Sequence, residues 1–365
     1  MNLHHGLPGL RRLAAGSVLS IGNFDGVHRG HQALLALARD LRARMTDAPR
    51  AVGEVERIIA RNDGARTTGD PSGITLSPYT SSRDPHANSA GARIAVVTFE
   101  PHPLTVLRPH KTPPRLTSPT AKRELLAAQG VDDLVELAPE PAVLGLTAEQ
   151  FWAILRDEVR PAHLVEGAEF NFGKGRGGNI ARLREWSADS GIELHIVGEV
   201  EVPLLDLRLA PVSSTVIRWL LAYGRARDAA LCLGWPYALR GEVIKGFQRG
   251  RTIGIPTANL KCDAQLIPAD GVYAGRCAID GRSYAAAVSI GTLPTFNNAA
   301  FQIEAHLIGF DDDLYGREIS VELLDWLREQ RKYDGVEPLK AQIARDIADT
   351  VARANENNTW PLGAA

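Results

Sequence analysis

The pattern of apolar residues changes character near Trp235, and that change restricts the chain to two unlike architectures joined in series. Before it, short apolar runs alternate with amphipathic stretches. Residues 17–21 read as a buried strand, followed by a helix through Leu34, Leu35, Leu37 and Leu41. Residues 94–99 (IAVVTF), 163–165 and 193–197 read as further strands. The helices carry their own boundary signals. Ser118-Pro119 is an N-cap followed by proline at the first helical position, with Gly130 placed to end that helix. Thr147-x-x-Gln150 matches a capping box, and a helix over 213–223 stops at Gly224. Such alternation predicts an α/β domain, a mostly parallel sheet with helices on its faces. After Trp235, residues 237–245, 271–279, 284–290, 301–307 and 319–324 read as strands without helices between them. That run predicts a small antiparallel barrel or sandwich, closed by one helix over about 336–352. The boundary is expected at 224–236, with domains over 1–225 and 236–355.

The 365 residues leave room for both domains, and 41 basic against 43 acidic residues nearly cancel. A nucleic-acid partner would normally leave a basic excess, so none is expected. Cys232, Cys262 and Cys277 form no CxxC and no zinc spacing, and they read as reduced thiols. The N-terminus lacks the apolar run of a signal peptide, and no stretch approaches the roughly 20 apolar residues of a membrane span. A cytoplasmic protein without a membrane partner is expected. Residues 46–92 fit neither pattern: rich in Ser, Thr, Gly, Pro, Asp and Arg, with Tyr79 their only aromatic, they read as a disordered surface insertion.

Two stretches carry chemistry. GNFDGVHRGH (22–31) follows a strand and opens a helix. Free backbone N–H groups at that point attract an anion. His28 and His31, three residues apart, project toward one phosphate, and Gly26 and Gly30 let the backbone approach it. Ser213-Ser214-Thr215 with Arg218 one turn on offers hydroxyls and charge for further phosphates, although such a triplet alone is also an ordinary N-cap. Gly173-x-Gly175-x-x-Gly178 matches a dinucleotide fingerprint but does not run directly from strand to helix, so no NAD role is expected. In the second stretch, Gly246, Gly250, Arg251 and Gly254 form a glycine-rich loop able to wrap phosphates, followed by Pro256-Thr257-Ala258-Asn259. Thr257 and Asn259 supply neutral oxygens of the kind magnesium accepts beside nucleotide phosphates.

These residues carry a resemblance. GNFDGVHRGH, TFEPHP (98–103), GAEFNFG (167–173) and SSTVIR (213–218) resemble the adenylyltransferase module of the bacterial bifunctional riboflavin kinase/FAD synthetase family, within the wider HxGH nucleotidylyltransferase group. The glycine-rich loop, PTAN, GVYAG (271–275), SIGTLPTF (289–296), Glu304-x-His306 and DLYG (313–316) resemble its riboflavin kinase module, a small β-barrel with a C-terminal helix. The resemblance implies phosphorylation of riboflavin to FMN with ATP and Mg2+, then adenylylation of FMN to FAD with release of pyrophosphate. By it, His28 and His31 stabilise the transition state. Gly22, Phe24, Asp25, Gly30, Ser214, Thr215 and Arg218 serve ATP, and Glu100, His102 and Glu169 lie in the flavin and substrate loops. It also makes Glu304 the base for the riboflavin 5′-hydroxyl, whereas the pattern alone equally allows a polar-face strand residue. Riboflavin, FMN and ATP are thus the expected partners of a monomer or weak homo-oligomer. Glu169 stands where the family has Asp or Asn, and Asn179 replaces an acid. Two alternatives follow: a monofunctional riboflavin kinase with an impaired first domain, and a non-catalytic flavin-sensing protein.

Overall fold

The computed structural model describes residues 1–46, 92–246, 250, 253–262, 265–292 and 301–356. Almost all of the expected insertion at 46–92, together with Arg251 and the PTF of 294–296, lies outside the described residues. The chain divides into two compact units, one of residues 1–24, 30–112 and 126–199, the other of 25–29, 113–125 and 200–365.

The first unit is built on a six-stranded parallel sheet of β1 (Asn2–His5), β2 (Val18–Ile21), β3 (Ile94–Phe99), β4 (Asp133–Leu137), β5 (His163–Gly167) and β8 (Glu193–Val197). β6 (Asn171–Phe172) and β7 (Gly178–Asn179) form a separate antiparallel pair. The spatial order is β1-β4-β3-β2-β5-β8. Every residue of β2 and β4 is buried, as expected of strands covered on both faces. Chain order runs outward from β2 to β3 and β4 on one side, and to β5 and β8 on the other. The switch point therefore lies at β2 and β5, where an open α/β sheet presents its ligand crevice beyond the carboxyl ends.

Helices α1 (Gly6–Leu10), α2 (Arg29–Thr46), α3 (Leu104–Leu107), α4 (Pro119–Ala128), α5 (Pro141–Leu144), α6 (Ala148–Ala153) and α7 (Ile180–Ala188) connect the strands. The capping box opening α6 is formed on both sides by Thr147 and Gln150. Asn179 caps α7, its side chain accepting from Arg182 N at 3.0 Å. The glycines of the GxGxxG match lie around the β6–β7 turn, with Gly173 and Gly175 at positive φ, so no strand-to-helix dinucleotide turn forms there. Leu19, Ile21, Val97, Phe151, Trp152 and Leu155 share this unit's core.

Beyond residues 25–29 and 113–125, the second unit contains a hairpin of β9 (Glu201–Pro203) and β10 (Leu209–Pro211), followed by α8 (Ser214–Ala222) and α9 (Ala226–Leu233). The stretch read as a boundary thus contains a helix whose Ala226, Ala229, Cys232 and Leu233 enter this unit's core. Small alanines hid it, because they bury without a conspicuous apolar stripe. A closed barrel follows, of β11 (Tyr237–Ile244), β12 (Ala258–Lys261), β13 (Gly271–Ile279), β14 (Arg282–Thr292), β15 (Phe301–Leu307) and β16 (Glu318–Arg328), in the order β11-β12-β15-β14-β13-β16. Tyr273, Cys277, Val288, Ala305, Val321 and Leu323 fill it, one residue in two along each strand. The cysteines are free, and burial pushes the Cys232 and Cys277 thiols up to about 11 and about 12.

Helix α10 (Val336–Glu356) packs on β13, β14 and β16. Its anchor is the fork between Arg328 and the buried Asp346, at 2.9 Å (Nε to Oδ1) and 2.6 Å (Nη2 to Oδ2). Removing one partner of a buried pair strands the other's charge, at a cost of about 3 kcal/mol. Asp346→Ala should therefore lower the unfolding free energy by about that amount in urea titration, and Asp346→Asn by less. Equal stability of Asp346→Ala and wild type would show that α10 is held by apolar packing alone.

Candidate functional site

The loop after β2 is strained. Phe24, Gly26 and Val27 all have positive φ (48°, 78° and 38°), a conformation costly for a β-branched residue such as Val27. Gly26 is required twice over, since a Cβ there would also press into Leu116 and Leu233. Strain of this kind persists only where the surroundings over-determine it.

Within the second unit the determinant is Asp25. Its Oδ1 accepts from Leu116 N at 2.9 Å, and its Oδ2 pairs with Arg218 Nη2. Ser214 Oγ donates to the Asp25 carbonyl at 2.9 Å, and Arg218 Nε donates to Pro114 O at 2.8 Å. Asp25, Ser214 and Arg218 are thus brought together, while Thr215 is exposed in the first turn of α8. Arg218 is held by a carboxylate rather than standing ready-extended, a constraint no motif revealed. His28 is buried in the same unit. Burial, aided by the Arg218 charge, holds its imidazole down at about 4, so the ring is neutral at pH 7.

In the first unit, Phe24 packs its ring 4.8 Å from that of His31. Thr98 Oγ1 donates to Asn23 O at 3.0 Å, tying the end of β3 to the loop. Glu100 follows β3 and is joined to Pro101 by a cis peptide bond. His102 Nδ1 accepts from Leu104 N at 3.1 Å, and its Nε2 lies 3.3 Å from Asn23 Nδ2. Glu169 is exposed, its carbonyl accepting from the Asn171 side chain. Glu166 was not anticipated. Its Oε1 accepts from Ile21 N at 2.8 Å, directly beneath Gly22, and burial pushes its carboxyl well above the ordinary range. A lone acid inside the buried run LVEG was the available signal.

In the barrel, PTAN is half loop and half strand, with Ala258 and Asn259 opening β12. Asn259 is directly opposite Glu304 on β15, which is opposite Ser289 on β14. Val288 and Ala305, in alternate positions, face the core, so these three polar residues share the outer face. Directly opposed antiparallel residues hold their Cβ atoms about 5 Å apart, within reach of one small ligand. A Cβ on Gly246 would collide with the Asn259 amide, and one on Gly250 with the Ile255 carbonyl, with Thr257 Oγ1 3.4 Å away. The glycine loop and PTAN therefore lie against each other, with Gly254 at positive φ between them. His306 Nδ1 donates to Pro256 O at 2.7 Å, which fixes the strand entry.

A family model described as FAD synthetase matches residues 11–52 and 82–215, and one described as riboflavin kinase matches 233–353. A bifunctional riboflavin kinase/FMN adenylyltransferase of Escherichia coli (strain K12) is 33% identical over 91% of this chain and 90% of its own length. One from Pseudomonas fluorescens is 33% identical over 97% and 98%. Among solved structures, a chain described as a macrolide-efflux protein from Streptococcus pneumoniae has a TM-score of 0.74 at 26% identity, covering 96% of this chain and 99% of that one. Among the described residues, no helix is long and apolar enough to cross a membrane.

The buried imidazole has a consequence for stability. An unfolded His28 titrates near 6.5 and the folded one near 4, so between these values the unfolded chain binds the extra proton. Stability from this residue is complete above pH 6.5 and lost as pH falls toward 4, by about 3 kcal/mol in all. His28→Asn should remove that part of the pH dependence in denaturant titrations between pH 7 and 4. An unchanged slope would show that the imidazole is solvated.

Proposed function

The chain belongs to the family of bifunctional riboflavin kinases/FMN adenylyltransferases, and we propose that its two reactions are divided between the barrel residues and the residues around the β2 loop. Riboflavin is phosphorylated to FMN with ATP, and FMN is adenylylated to FAD with release of pyrophosphate.

For the kinase step, Glu304 accepts the proton of the riboflavin 5′-hydroxyl as the oxygen attacks the γ-phosphate of ATP. A primary alcohol is a weak nucleophile, and a positioned carboxylate supplies the missing basicity. Thr257 and Asn259 hold a magnesium–ATP complex through neutral oxygens, while Gly246, Gly250, Arg251 and Gly254 wrap its phosphates. Magnesium, when bound, neutralises charge on the β- and γ-phosphates. The observation that supports this half is the pairing of Asn259 with Glu304 across β12 and β15.

For the adenylyl step, the FMN phosphate attacks the α-phosphate of a second ATP and expels pyrophosphate. His28 and His31 donate hydrogen bonds to the charge that develops. A neutral His28 keeps one ring N–H to donate. Gly22, Phe24, Asp25, Gly30, Ser214, Thr215 and Arg218 serve the ATP side, with Asp25 aiming Arg218. Glu100, His102 and Glu169 serve the flavin side. Asn179 caps α7 as an aspartate would, which weakens the reading of a purely monofunctional kinase. The enzyme works in the cytoplasm as a monomer or weak homo-oligomer, without nucleic acid or membrane.

Chromatographic separation of FMN and FAD tests the division. His28→Ala should lower FAD formation by about 10²–10³-fold and leave FMN formation nearly unchanged. Glu304→Ala should lower FMN formation by about 10²–10⁴-fold while supplied FMN is still adenylylated. Loss of both reactions in either folded variant would refute the division.

A further inference from the structure

Away from the carboxyl ends of the sheet, β5 and β8 carry a third constellation. His163 opens β5, Glu193 opens β8, and the two are direct partners across the parallel pair. His195 lies two residues beyond Glu193, so strand geometry returns its side chain to the same face. The ligand atoms converge. His163 Nδ1 is 3.1 Å from His195 Nε2 and 3.3 Å from Glu193 Oε2, and His195 Nε2 is 3.8 Å from the same oxygen. The His163 side chain is only 7% exposed, while His195 at 18% and Glu193 at 35% leave one side open to water.

These separations have a chemical meaning. Ligands about 2.0–2.1 Å from a tetrahedral zinc ion stand roughly 3.3–3.4 Å from one another, the value around which the three edges scatter. Two imidazoles and one carboxylate suit zinc or cobalt, whereas magnesium prefers an all-oxygen shell. The competing account is a hydrogen bond between two neutral rings. A ring N–H shared between the other nitrogen and Glu193 Oε2 also accounts for these contacts, and metal uptake is what distinguishes the two arrangements. A cation at the centre satisfies all three together. Ligation requires only that the donating ring move its proton to its other nitrogen. Arg44 on α2 is the charge that opposes a cation near His195, and the Glu193 carboxylate offsets it.

We propose that His163, Glu193 and His195 bind one zinc-type divalent cation, with water completing the shell. All three come from β5 and β8 near the amino ends of these strands. The site is thus about 13 Å along β5 from Gly167 at its carboxyl end. Its occupant clips the edge strand β8 to its neighbour and takes no part in either phosphate reaction.

Titration of the full chain with Co2+, in the absence of nucleotide and with excess Mg2+ present, tests this. Saturable uptake of one equivalent is expected, with the strong visible bands of four-coordinate cobalt, displaced by Zn2+. Glu193→Gln and His195→Gln alter the open side of the cluster and should weaken cobalt binding at least tenfold, with the metal-free melting temperature and both catalytic activities preserved. Zinc should raise the melting temperature of wild type but not of the variants. Absence of uptake, only the faint bands of six-coordinate cobalt, or unchanged binding in both variants would overturn the site.

Discussion

Asp25 is the point on which the loop after β2 turns. One carboxylate and one carbonyl gather the 114–117 segment and the start of α8 onto the loop that bears them. Backbone held at positive φ at Phe24 and Val27 costs of order 1–3 kcal/mol per residue, and charge-assisted hydrogen bonds of the Asp25 kind are strong enough to hold it. The same contacts fix where the Arg218 guanidinium stands. A motif that reads as a set of phosphate ligands is thus first a set of mutual restraints.

Two buried titratable groups show a shared electrostatic logic. Burial favours the uncharged form of both His28 and Glu166. An ionised carboxylate under Gly22 would repel any anion approaching that loop, and a neutral carboxyl avoids this while still accepting from Ile21. The barrel works differently. Its polar residues Asn259, Glu304 and Ser289 lie on the outer face of a closed sheet, Asn259 buried and the other two half-buried, with an apolar core behind them. The loop after β2 is held at positive φ, whereas the barrel strands form a regular closed ladder.

Much of this was legible from short-range pattern. The switch from alternating elements to serial strands marked the parallel sheet and the barrel, and caps at Thr147, Ser118 and Ser213 located helix starts. β1 and β4 were not legible, since Asn2–His5 is polar and Asp133–Leu137 carries two acids among its five residues. β12 was not legible either, because proline and threonine precede the short strand that Asn259 joins. The Asp25–Arg218 pair links positions 193 apart, and the His163–Glu193–His195 cluster depends on strand pairing. No local periodicity encodes either. Glu169 and Asn179 stood out as departures from a motif, yet one is exposed and the other is an ordinary helix cap.

Barrel closure gives the Asn259–Glu304 pairing a protection that an open sheet would lack. A slip of β15 by one residue against β12 would turn Glu304 into the core and Ala305 out to water, leaving Asn259 without its partner. In an open sheet such an error could relax at a free edge. Here every strand is hydrogen-bonded on both sides, so a slip must propagate around the whole ring or break it. The two side chains therefore face each other or the barrel is not formed, and a folded barrel with a misaligned pair is not an available state.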